Sequence, residues 1–269
     1  MNEQDNFLIF IPAYNCAKQI PRVLRQLKGL PPHIRFSVLV LDNQSPDGTI
    51  EQAIEASRDL AIPAIIGRNR RNYGLGGSHK AAFTHAIAEG FTHVIVLHGD
   101  DQGNISDVIP HLEKGSHRQY DALLGARFMP GSRLQGYSGF RTFGNRVYNL
   151  AFSAVAGSRL FDLGSGLNVY RTSCLEKYDW RGFANDLTFN YYLILAGSHW
   201  RWKTAFFPIS WREDDQVSNV KLFKQARQTA RLLASFALNR ARFLAREHVT
   251  NPPPDYGFDV VGRNAAKHD

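Results

Sequence analysis

The chain has 269 residues, of which 43% are hydrophobic and 21% charged, and these values exclude a wholly disordered protein. Its 32 Lys and Arg outnumber its 24 Asp and Glu, and the resulting net charge of +8 favours anionic partners: phosphorylated substrates, nucleic acid or an anionic membrane surface. No apolar run reaches the roughly 18 residues that cross a bilayer, so no transmembrane helix is expected.

Cys16 and Cys174 are the only cysteines, too few for a disulfide framework or a thiolate zinc site. The first six residues are polar and acidic and do not resemble a secretory signal. Two reduced thiols and no signal predict a cytoplasmic protein, with any membrane contact at the cytoplasmic face.

Apolar runs alternate with helical patterns through the first 126 residues. The apolar runs predict strands over 7–12, 36–41, 62–66, 92–97 and 120–125. The helical patterns cover 16–27, 49–59, 78–89 and 105–113. This alternation predicts βαβ units and an α/β fold with a mainly parallel sheet. In such a sheet the ligand binds beyond the carboxyl ends of the strands.

The second half of the chain has a different texture. Residues 129–144 are rich in Gly, Arg and Ser and predict a loop near the site, followed by a helix over 145–156. Strands are expected over 167–170 and 206–211, and a basic amphipathic helix over 217–249. That helix either packs on the domain or lies on an anionic membrane surface, and the sequence leaves both open.

The sharpest motif is His98-Gly99-Asp100-Asp101-Gln102, directly after the fourth predicted strand. Adjacent carboxylates repel each other unless a cation offsets their charge. A divalent ion bound by carboxylate, amide and phosphate oxygens would do so: Mg²⁺ with oxygen ligands alone, Mn²⁺ if His98 also ligates. The alternative is a solvated turn that caps the next helix.

Two further polar clusters follow the second and third predicted strands. Asp42 and Asn43 offer hydrogen-bonding groups to a nucleobase or a ribose, although the same stretch also reads as a turn with a helix cap. Gly74 and Gly76 belong to a glycine-rich loop ahead of a helix, where a backbone can approach phosphates. This loop matches neither a Walker A loop nor a dinucleotide fingerprint.

The order and spacing of these motifs, together with Ile11-Pro12-Ala13-Tyr14-Asn15 after the first strand, resemble family 2 glycosyltransferases of the GT-A fold. The likeness is to the polyprenyl-phosphate glycosyltransferases, the class of dolichol-phosphate mannose synthases, and covers about residues 6–222. It implies a Rossmann-like three-layer catalytic domain over 1–216. A basic helical segment over 217–250 and a disordered tail over 251–269 would follow.

The resemblance also implies roles for single residues. The nucleotide-sugar pocket would contain Pro12, Tyr14, Asp42, Asn43, Gly74 and Gly76. The metal would be held by Asp100 and Gln102, and Arg212 would face the donor diphosphate. The acceptor would be bound by Arg127, Arg141, Asn145, Asp162 and Ser165. Of these residues, the catalytic ones would be Asp100, Arg127, Arg141 and Arg212.

The implied reaction is the inverting, metal-dependent transfer of a sugar from a UDP- or GDP-sugar to a polyprenyl phosphate. A phosphate acceptor is already anionic and needs no general base, whereas a hydroxyl acceptor would need one, with Asp186 or Asp162 as candidates. A sugar-phosphate nucleotidyltransferase is a further alternative. No nucleic-acid reader motif accompanies the positive charge, so nucleic acid is not an expected partner.

Overall fold

A computed structural model describes residues 5–213 and 222–266 of the chain. The strands are β1 (Asn6–Ala13), β2 (Arg35–Asp42), β3 (Ala64–Asn69), β4 (His93–Leu97), β5 (Ala122–Ala126), β6 (Arg133–Gln135), β7 (Leu167–Arg171), β8 (Thr204–Pro208), β9 (Ser210–Arg212) and β10 (Phe258–Arg263). The helices are α1 (Ile20–Gln26), α2 (Thr49–Ser57), α3 (Gly74–Ala88), α4 (Ile109–Glu113), α5 (Gly139–Ala156), α6 (Thr172–Lys177), α7 (Phe189–His199), α8 (Leu222–Leu238) and α9 (Arg240–Leu244).

Eight strands form the central sheet in the order β10-β3-β2-β1-β4-β7-β5-β8. Neighbouring strands are parallel except where β7 and β10 enter the sheet antiparallel. The predicted α/β fold with a mainly parallel sheet is therefore confirmed. A small second sheet pairs β6 with β9.

The sheet is buried on both faces, as strand β1 shows. Leu8 and Phe10 pack into one hydrophobic cluster, and Phe7 and Ile9 pack into the other. Because successive side chains of a strand point to opposite faces, one apolar strand serves both clusters. Helices cover each face, which gives three layers.

Helix α3 begins earlier than the periodicity predicts, at Gly74 instead of residue 78. The backbone N–H of Gly74 donates to the Asn72 side chain (3.0 Å), and that of Gly76 donates to the Asn185 carbonyl (2.8 Å). These acceptors satisfy N–H groups that have no partner within the first turn of a helix. The predicted glycine-rich loop is thus the first turn of α3.

The prediction of a loop over 129–144 is wrong in part. Strand β6 lies within it, and α5 begins at Gly139 instead of residue 145. Ser138 is the N-cap of α5, because its hydroxyl accepts a hydrogen bond from the backbone N–H of Arg141 (3.4 Å). Glycines near the start obscured a helix whose apolar side chains are partly exposed.

Helix α8 packs on the domain, which was one of the two alternatives for the basic segment. Among the α8 side chains that the structure describes, Thr229, Leu232 and Phe236 are buried, and both apolar ones belong to the core cluster. Asn239 separates α8 from α9 and caps α9 by accepting from the backbone N–H of Arg242 (2.9 Å). Residues 217–221 of the predicted helix lie outside the described residues.

The expectation of a disordered tail over 251–269 is wrong for the described part of that segment. β10 pairs antiparallel with β3 and forms one edge of the central sheet. Beyond it, the Asn264 side chain accepts from the backbone N–H of Ala64 (2.9 Å) and donates to the Ile62 carbonyl (2.8 Å). Three consecutive prolines before this strand favoured disorder, but a β-branched run after them still completes the sheet edge.

His79 on α3 is a fully buried, neutral histidine. Its Nδ1 lies 2.9 Å from the Leu75 carbonyl, and its Nε2 has no hydrogen-bond partner in the described parts of the chain. Burial lowers the pKa of His79 to about 3. The folded state therefore binds fewer protons here than the unfolded state does between pH 6.5 and 3.

We predict that this difference makes the protein less stable in acid. As the pH falls below 6.5, His79 should remove about 1.4 kcal/mol of unfolding free energy per pH unit. Urea denaturation between pH 7 and 5 should show a shallower decline for His79→Leu than for the native chain. The exposed His33→Gln variant controls for the loss of one histidine, and a decline of equal steepness in His79→Leu would contradict the prediction.

Candidate active site

A cleft of about 320 Å³ opens at the carboxyl ends of β1, β2 and β4. Parallel strands bring the segments that follow them to the same sheet edge, which is where the sequence predicted the ligand. The cleft is lined by six of the predicted residues: Pro12, Tyr14, Asn43, Gly74, His98 and Asp100.

The segment after β1 is held by the segment after β2. The backbone N–H of Asn15 donates to the Ser45 hydroxyl (3.0 Å), and that of Cys16 donates to the Thr49 hydroxyl (3.0 Å). This leaves the Tyr14 side chain 51% exposed at the mouth of the cleft. Cys16 lines the cleft but is inert as a nucleophile, because burial raises the pKa of its thiol to about 12.

Asp42 and Asn43 have different positions although they are adjacent. Asp42 is completely buried, and its carboxylate accepts from the backbone N–H of Ser45 (3.2 Å) and from Nε of Arg68 (3.4 Å). Asn43 lines the cleft, accepts from the backbone N–H of Tyr73 (2.8 Å) and donates to the Asn72 side chain. Asn43, not Asp42, therefore presents its surface to a ligand.

The two carboxylates of the acidic motif point in different directions. Asp101 has a positive φ of 60°, and its buried carboxylate accepts from Arg22 Nε (2.6 Å), Gln26 Nε2 (2.9 Å) and the Arg212 guanidinium. Asp100 lines the cleft instead, where its Oδ1 accepts from the backbone N–H of Gln102 (3.2 Å). The predicted repulsion is thus relieved in part by arginines.

Asp100 and His98 suit a divalent cation. Burial raises the pKa of Asp100 to about 6, and its carboxylate has no arginine partner among the ion pairs of the described residues. Burial also lowers the pKa of His98 to about 4, so its ring is neutral, and its buried Nε2 has no hydrogen-bond partner in the regions described. One carboxylate and one neutral imidazole are donors that favour Mn²⁺.

A second group with metal-like spacing lies at the amino-terminal ends of β1 and β4, at the end of these strands opposite to the cleft. Asp5, His93 and His117 place one donor atom each within 4.8 Å of the others. Asp5 precedes β1 and His93 begins β4, so β4, a strand of about 13 Å, separates this group from the cleft. The Asp5 carboxylate already accepts from His117 Nε2 (2.9 Å) and Arg118 Nε (2.7 Å), which makes the group an ionic cluster apart from the cleft.

Arg127 and Asp162 pair with each other. Nε and Nη2 of Arg127 donate to the two Asp162 oxygens at 2.7 and 2.8 Å, and both side chains are largely buried. Burial opposes the charge of Arg127, but the Asp162 carboxylate raises the pKa of Arg127 above its usual value. The guanidinium also lies over the Trp211 ring at 4.9 Å. These two predicted acceptor residues are therefore largely occupied by one another.

The other predicted acceptor residues divide between a partly exposed cluster of Arg141 and Asn145, which we call the rim group, and the interior of the protein. Arg141 is half-buried, pairs with Glu213 and lies over the Tyr137 ring at 4.4 Å. Asn145 joins this rim group, because its amide donates to the Tyr137 hydroxyl (3.0 Å). Ser165 is buried and donates to the Asn168 side chain (3.1 Å), so it does not join them.

Arg212 lies beside the acidic motif, as the resemblance implied. Its backbone N–H donates to the Gln102 carbonyl (3.0 Å), and its Nε donates to the Asp101 carbonyl (2.9 Å). The side chain remains about half exposed. The Arg212 guanidinium therefore lies beside the acidic motif with part of its surface exposed, although Arg212 is not among the residues that line the cleft.

Several cleft residues were not predicted individually. Asn72, Leu75 and Ser78 lie in the glycine-rich motif, so the motif gave a signal, whereas Leu187 had none. Gly76 does not line the cleft; it permits close packing, because a Cβ there would lie 2.4 Å from the Ala184 carbonyl oxygen. A larger cavity of about 780 Å³ lies behind α3 and contains none of the predicted site residues.

Comparisons with known proteins give the chain a family. The profile described as Glycosyl transferase family 2 matches residues 8–179. The undecaprenyl-phosphate mannosyltransferase of Micrococcus luteus is 28% identical over 189 residues, which are 68% of this chain and 76% of the relative. The polyprenol monophosphomannose synthase of Mycolicibacterium smegmatis is 26% identical over 177 residues, 64% of each chain, just under two thirds of that relative.

A solved structure supports the fold. Glucosyl-3-phosphoglycerate synthase from Mycobacterium tuberculosis, in complex with Mn²⁺, UDP and glucosyl-3-phosphoglycerate, superposes with a TM-score of 0.61. The alignment covers 97% of this chain and 90% of that one at 13% sequence identity. At that sequence identity the match shows only that the two proteins share the GT-A fold.

The buried pair predicts a large stability effect. Arg127→Ala should lower the unfolding free energy by about 3 to 5 kcal/mol, because it leaves the Asp162 carboxylate buried and unpaired. Arg141→Ala, which breaks a partly exposed pair, should cost below about 1 kcal/mol. Urea denaturation measures both, and equal losses would show that burial does not distinguish the two pairs.

Proposed function

The chain belongs to glycosyl transferase family 2 and is a glycosyltransferase of the GT-A fold, and from this we propose that it transfers a sugar from a nucleotide sugar to a polyprenyl phosphate. The donor would be a UDP- or GDP-sugar, and the mannose named in both relatives favours mannose as the sugar. Inversion at the anomeric carbon is part of the proposal.

The observation that carries the proposal is the convergence of Tyr14, Asn43 and Asp100 on one cleft, with the Arg212 guanidinium held on the backbone of Asp101, the next residue of the acidic motif. The exposed Tyr14 ring offers a stacking surface to a nucleobase, and the Asn43 amide offers hydrogen bonds. Asp100 and Arg212 stand where a diphosphate would follow. These groups together match the chemistry of a nucleoside diphosphate.

The departing diphosphate must be stabilised as its negative charge develops. Asp100 would hold a divalent cation, with His98 and Gln102 as its neighbours. When bound, that ion supplies electrostatic stabilisation of the diphosphate. Arg212 adds a positive charge that is already oriented by Asp101, so little reorganisation is required during transfer.

The acceptor phosphate would be bound at the rim by Arg141 and Asn145. Arg141 is the accessible guanidinium of this group, and its planar fork suits a phosphate. Arg127 would act through Asp162, which also accepts from the backbone N–H of Gly164 (3.1 Å) and thereby holds the adjacent turn. The reacting phosphate oxygen is anionic at neutral pH, so the chain has only to hold it in line with the anomeric carbon.

A hydroxyl acceptor is the less favoured alternative, because neither candidate general base is available. Both oxygens of Asp162 accept from Arg127. Asp186 accepts from the backbone N–H of Thr188 (2.8 Å) on one oxygen and from Gln228 (2.9 Å) on the other. A base must lie within hydrogen-bond reach of the substrate proton, and neither Asp162 nor Asp186 lines the cleft.

The decisive experiment is a screen of UDP-, GDP- and dTDP-sugars with and without undecaprenyl phosphate, which follows the release of nucleoside diphosphate. We expect turnover only with the lipid phosphate and a divalent ion. Asp100→Asn should reduce kcat at least 100-fold, the usual scale for a lost charge-stabilising group. Arg141→Ala should raise the KM of the acceptor about tenfold and leave the donor KM unchanged.

If a free sugar or a glycan, added in place of undecaprenyl phosphate, accepted the sugar at the same rate as the lipid phosphate, the lipid-phosphate assignment would be overturned. Metal-stimulated turnover by Asp100→Asn would remove Asp100 from the mechanism. If Arg141→Ala raised only the donor KM, the rim group would belong to the donor.

The lipid acceptor implies contact with a membrane, and helix α5 carries the surface that suits one. Its exposed apolar stripe contains Phe140 (80% exposed), Phe143 (67%), Val147 and Leu150 (72%), at intervals of three and four residues. α5 contains two arginines and no acidic residue. Residues 222–244 likewise contain no acidic residue, and they contain five basic ones. We propose that α5 lies on an anionic lipid surface, whereas Leu232 and Phe236 of α8 are buried in the core.

No helix in the described regions has the length and apolar character of a membrane span. The test is therefore sedimentation with vesicles of phosphatidylglycerol and phosphatidylcholine. Phe143→Ser with Leu150→Ser should weaken binding at least tenfold, because burying each of these apolar side chains in lipid would contribute about 1.5 to 3 kcal/mol of binding free energy. Val260→Ser with Val261→Ser, which changes two partly exposed side chains of β10, is the matched control and should bind as the native chain does. Equal binding by all three proteins would exclude α5.

A further inference from the structure

The chain segment over 251–263, which lies beyond the residues matched by the family profile, packs against the first turn of α3. The Tyr256 ring meets the Tyr73 ring edge-on at 5.3 Å, and the Tyr73 hydroxyl donates to the Gly257 carbonyl (3.0 Å). A Cβ on Gly77 would lie 3.2 Å from the Tyr256 ring. The segment therefore supports the turn whose residues Gly74 and Leu75 line the cleft.

Lys80, one turn further along α3, is a buried cation held by neutral oxygens. It is 1% exposed, and its Nζ donates to the Phe183 carbonyl, the Asn185 side chain (2.8 Å) and the Tyr256 hydroxyl (3.1 Å). Among the described residues no carboxylate lies within 4 Å of it, and burial lowers the pKa of Lys80 to about 8. An ammonium in this position depends on every one of its oxygen partners.

Asn185 connects this buried cation to the cleft. Its side-chain oxygen also accepts from the Tyr256 hydroxyl (2.9 Å), and its carbonyl accepts from the backbone N–H of Gly76 (2.8 Å). A Cβ on Gly74 would lie 2.4 Å from that carbonyl oxygen, so the two segments are in close contact. Two residues later, Leu187 lines the cleft. Residues 184–187, which we call the 184–187 wall, thus reach the cleft through Leu187 and are anchored from behind through Asn185.

We propose that Lys80 and Tyr256 are positioning residues that hold the 184–187 wall against the first turn of α3 and thereby set the affinity of the cleft for the nucleotide. This inference rests on the proposed function, since it takes the cleft as the nucleotide site. Neither side chain lines the cleft, so both act through Asn185 and the glycine turn. The last part of the chain is accordingly a component of the donor site.

The test uses Tyr256→Phe, which removes the hydroxyl and keeps the ring against Tyr73. UDP and GDP, each with Mn²⁺, are titrated calorimetrically into the full chain. We expect the Kd of the nucleotide that binds to rise about three- to tenfold, the scale of one ordinary hydrogen bond, because the lost bond acts on the cleft indirectly through Asn185. In turnover, the donor KM should rise by the same factor while kcat stays within twofold.

The matched control is Asn264→Ala, which removes the hydrogen bonds that Asn264, the residue directly after β10, makes with Ala64 and Ile62. It should lower the Tm as Tyr256→Phe does and leave the nucleotide Kd unchanged. Lys80→Met should exceed Tyr256→Phe in its effect on Kd, but if it does not fold, Tyr256→Phe alone decides.

Three results separate the possibilities. A higher Kd in Tyr256→Phe but not in Asn264→Ala supports the positioning role. An unchanged Kd in both variants, despite a lower Tm, overturns it and leaves the nucleotide site intact. If the native chain binds neither nucleotide, the proposed function fails and this inference fails with it.

Discussion

The site depends on the separation of two adjacent carboxylates. A left-handed backbone at Asp101 turns its side chain into the protein, where two arginines and a glutamine hold it, and leaves Asp100 in the cleft. Two carboxylates that faced the same way would raise each other's pKa, and one of them would tend to be protonated. The ion pairs of Asp101 therefore keep one charge available, and they fix Arg212 beside it at the same time.

Most of the fold could be predicted because buried parallel strands are continuous apolar runs, and β1, β2 and β4 follow that pattern closely. Strand β10 could not be predicted. It pairs with β3 alone, so most of its side chains are exposed and it lacks a continuous apolar run, and its six residues follow three prolines. The start of α3 was equally hidden. Glycine is a poor helix former, and its place in the first turn is determined by the carbonyls of a segment about 110 residues away.

The cleft was predictable in outline and less so in its side chains. A strand followed by polar residues locates the ligand edge, but whether Asp42 or the adjacent Asn43 faces the ligand depends on how the backbone leaves the strand. The pairing of Arg127 with Asp162, 35 residues apart, depends on which loops meet in space. The assignment of Asp100 came from the family likeness and agrees with its place in the cleft. The roles of Lys80 and Tyr256 could not be predicted, because they depend on contacts between residues that are distant in the sequence.

Cys16 gives the cleft a chemical property of its own. Burial raises the pKa of its thiol, so little of it is thiolate at neutral pH, and the thiolate is the form that reacts with oxidants and electrophiles. The cleft thus contains a sulfur atom whose reaction with oxidants is disfavoured. Disulfide stress or alkylating agents should spare this position, and a change of cellular redox state should leave the entrance chemistry of the cleft as it is.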